Sequence, residues 1–154
     1  MYYNFQNLFT TKVANEIESL CAMIIDLYNS LEEKGVKLKW TRDKYFDKFG
    51  FYLLSDDGTK DLFCGMWFEV WETYGYPFCF CLDGDKQVAN SIKFDLEKII
   101  SSEQNPDLAV KDFQGFPIVT FNDAFFQNLN DCTPLVALFV KVTEGLKFNI
   151  YFNK

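Results

Sequence analysis

Six apolar side chains recur at spacings of 4, 3, 4, 3 and 4 near the start of the chain: Val13, Ile17, Leu20, Ile24, Leu27 and Leu31. Only an α-helix gathers that spacing onto one side, because 3.6 residues make a turn. Glu16, Glu18, Asp26, Glu32 and Glu33 fall largely off the stripe. Thr10 or Thr11 suits the N-cap, and Gly35 suits the stop, where a positive φ is wanted. A long helix with one dry side must lay that side on something. The rest of the chain therefore has to supply an apolar surface.

It supplies strands. Val36 to Trp40 alternates apolar and polar with period two, with Val36, Leu38 and Trp40 inward. Gly50 to Leu54 is a second extended run, and Leu62 to Trp71 a long third. Between them Ser55-Asp-Asp-Gly-Thr59 is a hairpin signal, since Asp-Gly accepts the positive φ angles of a tight loop. Tyr76 to Leu82 follows a turn at Gly75 and closes at Asp83-Gly-Asp85. A second helix is expected from Gln87 to Ser102 on the stripe Val88, Ile92, Leu96 and Ile99 or Ile100. Short extended pieces are expected at Leu108 to Phe113 and Ile118 to Phe121, with a turn at Gly115-Phe-Pro117. A last helix starts at Thr133-Pro134, with Thr133 as cap and Pro134 at the first helical position. The tail from Lys147 to Lys154 reads equally as helix or strand.

Strands that follow one another through tight turns pair antiparallel, and helices before and after them cover a face. The expected fold is α+β: an antiparallel sheet of about 4–6 strands with about three helices packed on it. The 154 residues fit a single domain, 1–154, and 49% hydrophobic content supplies a core.

The chemistry is narrowed by what is missing. The chain has no histidine, which removes the commonest general base, the commonest zinc ligand and every Ser-His or Cys-His pair. No phosphate-binding glycine loop is present. The net charge of −7 divides as −4 over residues 1–77 and −3 over residues 78–154. That even acidity disfavours direct contact with a nucleic-acid backbone, which needs clustered Lys and Arg. Five cysteines, Cys21, Cys64, Cys79, Cys81 and Cys132, lie among apolar neighbours in no disulfide pattern, as reduced core thiols of a cytoplasmic protein would. Met1-Tyr-Tyr-Asn-Phe5 has no signal-peptide character and no apolar run spans a membrane. Cys79 and Cys81 share a strand face but lack a second ligand pair. Asp56, Asp57 and Asp61, and likewise Asp83 and Asp85, read as turn residues rather than a calcium loop. Glu32-Glu-Lys34 sits at a helix end with no strand carboxylate ahead of it, so a magnesium nuclease is rejected. No cofactor and no metal is expected.

The most unusual stretch is Phe63-Cys-Gly-Met-Trp-Phe-Glu-Val-Trp-Glu-Thr-Tyr-Gly-Tyr-Pro-Phe78. Read as one strand, it puts Cys64, Met66, Phe68 and Val70 on a core face and Phe63, Gly65, Trp67, Glu69 and Trp71 on the other. A Glu between two Trp argues for a rim, because an ionised carboxylate is rarely left in a dry core. Gly65 to Glu72, followed by Tyr74-Gly-Tyr-Pro77, resembles a segment of accessory domains in bacterial PD-(D/E)XK nuclease-like and uncharacterised proteins. That resemblance implies a sheet-with-helices accessory fold and no activity. The expected function is a non-catalytic binding or regulatory protein of bacterial or phage type: an inhibitor, immunity factor or adaptor contacting another protein. The expected contact residues are Trp67, Glu69, Trp71, Glu72 and Tyr74. Two other classes compete: an acidic nucleic-acid mimic that blocks a DNA-binding enzyme, and a hydrolase using only carboxylates and Tyr.

Overall fold

The structure is a computed structural model that describes residues 11–41, 47–56 and 58–149, without the side chains of 11–13. Expectations that rest on Thr10, Asp57 or residues 150–154 lie outside it. The apolar stripe forms α1 (Thr11–Glu33). Ile24, Leu27 and Leu31 are fully buried, while Ile17 and Leu20 are half-buried nearer the helix start. Gly35 takes φ 84° and the Val36 N–H donates back to the Leu31 carbonyl at 3.1 Å. This closes the helix end as a Schellman motif does.

Six strands follow: β1 (Lys39–Trp40), β2 (Lys48–Leu54), β3 (Lys60–Trp67), β4 (Phe78–Gly84), β5 (Leu108–Phe113) and β6 (Phe116–Phe121). They form one antiparallel sheet in the order β1-β2-β3-β4-β6-β5. The other helices are α2 (Phe68–Tyr74), α3 (Lys86–Ser91), α4 (Lys93–Ser102), α5 (Asp123–Gln127) and α6 (Thr133–Gly145). The α+β class and the strand count are as expected. The helices number six among the described residues, three of them of 10 residues or more.

One sheet face is the main core. Phe51, Leu53, Leu62, Cys64, Met66, Phe78, Phe80, Leu82, Val119 and Phe121 lie on it, under α1, α4 and α6. Phe80 and Phe121 meet edge to face at 5.0 Å, an arrangement that adds to the area each ring removes from water. Tyr28 of α1 stacks on Trp40 at 4.3 Å, which holds the two-residue β1 against the helix.

Several elements differ from expectation. β1 holds only Lys39 and Trp40, although Val36 is buried and Leu38 half-buried as the alternation required. The helix expected from Gln87 to Ser102 is two helices meeting at Ile92 (φ −105°, ψ 5°). Asn90 and Ser91 bend it there, by donating to the Lys86 and Gly115 carbonyls (both 2.8 Å) and to the Val88 carbonyl (2.6 Å). The turn expected at Gly115-Phe-Pro117 lies one residue earlier, at Gln114 (φ 53°) and Gly115 (φ 86°). Pro117 is within β6 and tolerated, because the β4 ladder stops at the Cys81–Ile118 pair. Thr133 is the first residue of α6, not its cap, and its N–H donates to Asp131 Oδ1 at 2.9 Å.

Candidate functional site

The largest correction falls on the Trp-rich stretch. It is not one strand from Leu62 to Trp71. β3 ends at Trp67, whose N–H donates to the Pro77 carbonyl at 2.9 Å, and α2 begins at Phe68. Gly75 (φ 82°) ends that helix and donates its N–H to the Trp71 carbonyl at 2.8 Å. The signal was in the sequence: a Gly followed two residues later by Pro77 is a helix stop. Period two and period 3.6 are hard to tell apart over seven residues.

The switch from strand to helix redistributes the five expected contact residues. Trp67 stays on the second sheet face, but it is buried rather than at an open rim, with 7% exposure. Its Nε1–H donates to Asp47 Oδ2 at 2.9 Å, and Lys48 Nζ sits 4.0 Å from its ring centroid. Around it Phe63, Val70, Cys79, Cys81, Phe113 and Ile118 form a second buried cluster. Val70 and Tyr74 pack on that cluster. Phe68 and Trp71, three apart on the helix, stack on each other and turn to the main core instead. Thus α2 straddles the end of the sheet, and Trp67 and Trp71 do not share a surface. Glu69 is half-buried and accepts from Gln114 Nε2 at 3.2 Å. The Tyr74 hydroxyl donates to the Asp112 carbonyl, and its ring meets that of Phe113 at 6.3 Å and Lys111 Nζ at 5.3 Å. Glu69 and Tyr74 therefore clasp the β5–β6 hairpin. Glu72 is exposed and Trp71 half-exposed.

The glycine that opens the motif has its own reason. Gly65 pairs with Gly50 across β2 and β3. A Cβ on Gly65 would lie 2.4 Å from the Phe49 carbonyl oxygen, and one on Gly50 would lie 2.2 Å from that of Cys64. Gly65 also takes φ 155°. The two backbones meet too closely there for any side chain.

Sequence reasoning missed one juxtaposition. Asp61 and Asp83, taken as residues of separate turns, are partners across β3 and β4. Asp61 is held above the usual carboxylate range, by burial first and by the Asp83 charge second. The Tyr52 hydroxyl reaches Asp83 Oδ2 at 3.5 Å, and Lys48 Nζ donates to Tyr52 Oη at 3.4 Å. Only a registered pairing of β3 with β4 could have joined them, and register is not readable from either strand alone. The described residues contain no group of three Cys, Asp or Glu side chains placed to hold a metal ion. Burial raises the Cys64 and Cys81 thiols well above their ordinary range and pushes Cys79 up to about 12. As thiols rather than thiolates, these three are poor nucleophiles and poor ligands. A groove of about 600 Å³ lies away from all of these groups, between α4 and β5, lined by Glu97, Ile100, Gln104, Leu108 and Val110 among others.

No family model, no curated protein and no solved structure matches this chain. No helix among the described residues is long and apolar enough to cross a membrane.

Proposed function

We propose that the chain is a non-catalytic binding protein of bacterial or phage type, an inhibitor, immunity factor or adaptor of cytoplasmic location, that acts by contact with another protein. One observation carries this reading. α2 is a short helix fastened on two sides, through Val70 and Tyr74 to one cluster and Phe68 and Trp71 to the other. Its outer side presents Glu72 and the open part of the Trp71 ring. A half-buried aromatic held rigid beside a charged neighbour costs little entropy to bind, which is how contact anchors work. The likeness of Gly65 to Pro77 to accessory-domain segments supports the same reading. Capture from the native host with tagged protein, wild type beside Trp71→Ala and Glu72→Lys, tests it. The expected result is one protein retained by wild type and released by both variants, with Trp71→Ala weakening binding by about 2 kcal/mol. Equal capture by all three proteins refutes it.

A carboxylate hydrolase is the second reading, favoured by the Asp61–Asp83 pair. Neighbouring strands hold opposed Cβ atoms about 4.5–5.5 Å apart, and two close carboxylates with one raised pKa are the groups such chemistry uses. It ranks second because the groove lies elsewhere. Glycoside turnover lost in Asp61→Asn and Asp83→Asn would favour it. The nucleic-acid mimic has less support. The exposed acids of α1 (Glu16, Glu18, Asp26, Glu32 and Glu33) spread round the solvent side of the helix instead of forming one line.

A further inference from the structure

The two edges of the sheet are unlike. β1 is two residues long, whereas β5 runs six residues with an unbroken register to β6 on one side only. The Gln114–Gly115 loop has positive φ at both positions, which is the two-residue type I′ hairpin. Phe113 and Phe116 are then a hydrogen-bonded pair, as are Lys111 with Ile118 and Ala109 with Thr120. The same parity appears one step further on, where the Asn122 N–H donates to the Asp107 carbonyl at 3.1 Å. Leu108, Val110 and Asp112 therefore aim their N–H and C=O groups away from β6, at the open edge.

Of those six groups, two already have partners. The Leu108 N–H donates to the Asn105 carbonyl at 3.2 Å, and the Asp112 carbonyl accepts from the Tyr74 hydroxyl. Four stay open among the described residues: the Leu108 carbonyl, both groups of Val110, and the Asp112 N–H. From this pattern we propose that β5 pairs antiparallel with β5 of a second copy of the chain, on a two-fold axis at Val110. Each Val110 N–H then meets the Val110 carbonyl of the other copy. Each Asp112 N–H meets the Leu108 carbonyl of the other copy. The groups that would face each other at the two ends, the Leu108 N–H and the Asp112 carbonyl, are the two already bonded within each chain. Every backbone group at the seam is satisfied, as a buried ladder requires. An unrelated strand would set a carbonyl against Leu108, whose N–H is already given to Asn105, and leave it unmatched.

The side chains agree. Leu108 and Val110 line the groove under α4, beside Ile100 and together with Glu97 and Gln104, so Val110 of the second copy meets apolar side chains in a groove of mixed lining. β5 carries no proline and no bulge, two of the devices that blunt an edge, and its charged residues, Lys111 and Asp112, fall opposite Ala109 and Leu108 of the second copy, so no like charges meet. This inference stands apart from the surface of α2 and does not depend on it.

Sedimentation equilibrium of the full chain, from micromolar to millimolar, tests the pairing. The expected species is a dimer of twice the 18.0 kDa chain mass. Val110→Pro removes an N–H that no internal bond uses and should weaken the dimer roughly 30-fold, as two lost hydrogen bonds would. Its circular dichroism should match wild type. Val110→Cys provides a second measure. The two Cα atoms of a hydrogen-bonded pair lie about 5.5 Å apart, within disulfide reach. Mild oxidation should give a covalent dimer that wild type does not. A wild-type chain that stays monomeric throughout overturns the proposal. So does a folded Val110→Pro that dimerises as wild type does, or an edge that takes an unrelated peptide and not its own copy.

Discussion

The two faces of the sheet solve the same burial problem with different means. On the main face, rings and branched side chains from four central strands meet three long helices, and the buried side chains are apolar but for Thr143, whose hydroxyl donates to the Phe139 carbonyl within α6. On the second face a small cluster around Trp67 is closed by one seven-residue helix, and it is bordered by Lys48, Tyr52, Asp61 and Asp83. The first face is built for cohesion alone. The second mixes cohesion with charged and hydroxyl groups. A fold of this size can carry polar work on one face because the other holds the sheet together.

The comparison breaks most clearly at Ile24, fully buried at the centre of the α1 stripe. Ile24→Asp puts an unpaired charge into the main face and should unfold the chain, a loss of about 5 kcal/mol or more. Far-UV circular dichroism at room temperature reads it, and a melting temperature equal to wild type would make α1 peripheral. Two Phe truncations then sharpen the contrast. Phe80→Ala, under the helices, should cost about 4 kcal/mol in urea unfolding. Phe113→Ala, on the edge strand of the second face, should cost about 3 kcal/mol, since an edge site relaxes more readily. Equal losses would mean that the faces contribute alike.

Gly65→Ala tests the seam between them. The clash with the Phe49 carbonyl and the φ of 155° should together cost about 3 kcal/mol. The smallest effect belongs to Asp61. Its folded-state pKa is raised, so between the ordinary carboxylate pKa and the raised one the folded chain keeps a proton that the unfolded chain has lost. Stability therefore falls as pH rises through that window. Asp61→Asn should flatten the fall and raise the melting temperature at pH 7 but not at pH 3, by less than about 1 kcal/mol after solvent screening.

What was legible in the sequence follows the same division. The stripe of α1, the hairpin signal at Ser55 to Thr59 and the extended runs at Gly50 to Leu54 and Tyr76 to Leu82 could be read, because a sustained apolar pattern or an Asp-Gly turn leaves little choice. Residues 68–74 were ambiguous by period, because Phe-Glu-Val-Trp fits both, and the helix stop at Gly75 and Pro77 just beyond them was the only signal that decides. Of the five expected contact residues, Trp67 went to the core, Glu69 and Tyr74 to the hairpin clasp, and Trp71 and Glu72 kept open surface. The Asp61–Asp83 partnership and the open groups of β5 depend on register, which arises between strands and is written in neither.

Cys64, Cys79 and Cys81 sit on the two central strands, fully buried, with thiols held in the protonated form. A reagent that attacks thiolates finds none of them while β3 and β4 are paired. Cys21 and Cys132, half-buried on the helical side, answer first. The slow phase of labelling then counts how often the centre of the sheet comes apart, so the chain carries its own stopwatch for opening in its native cysteines.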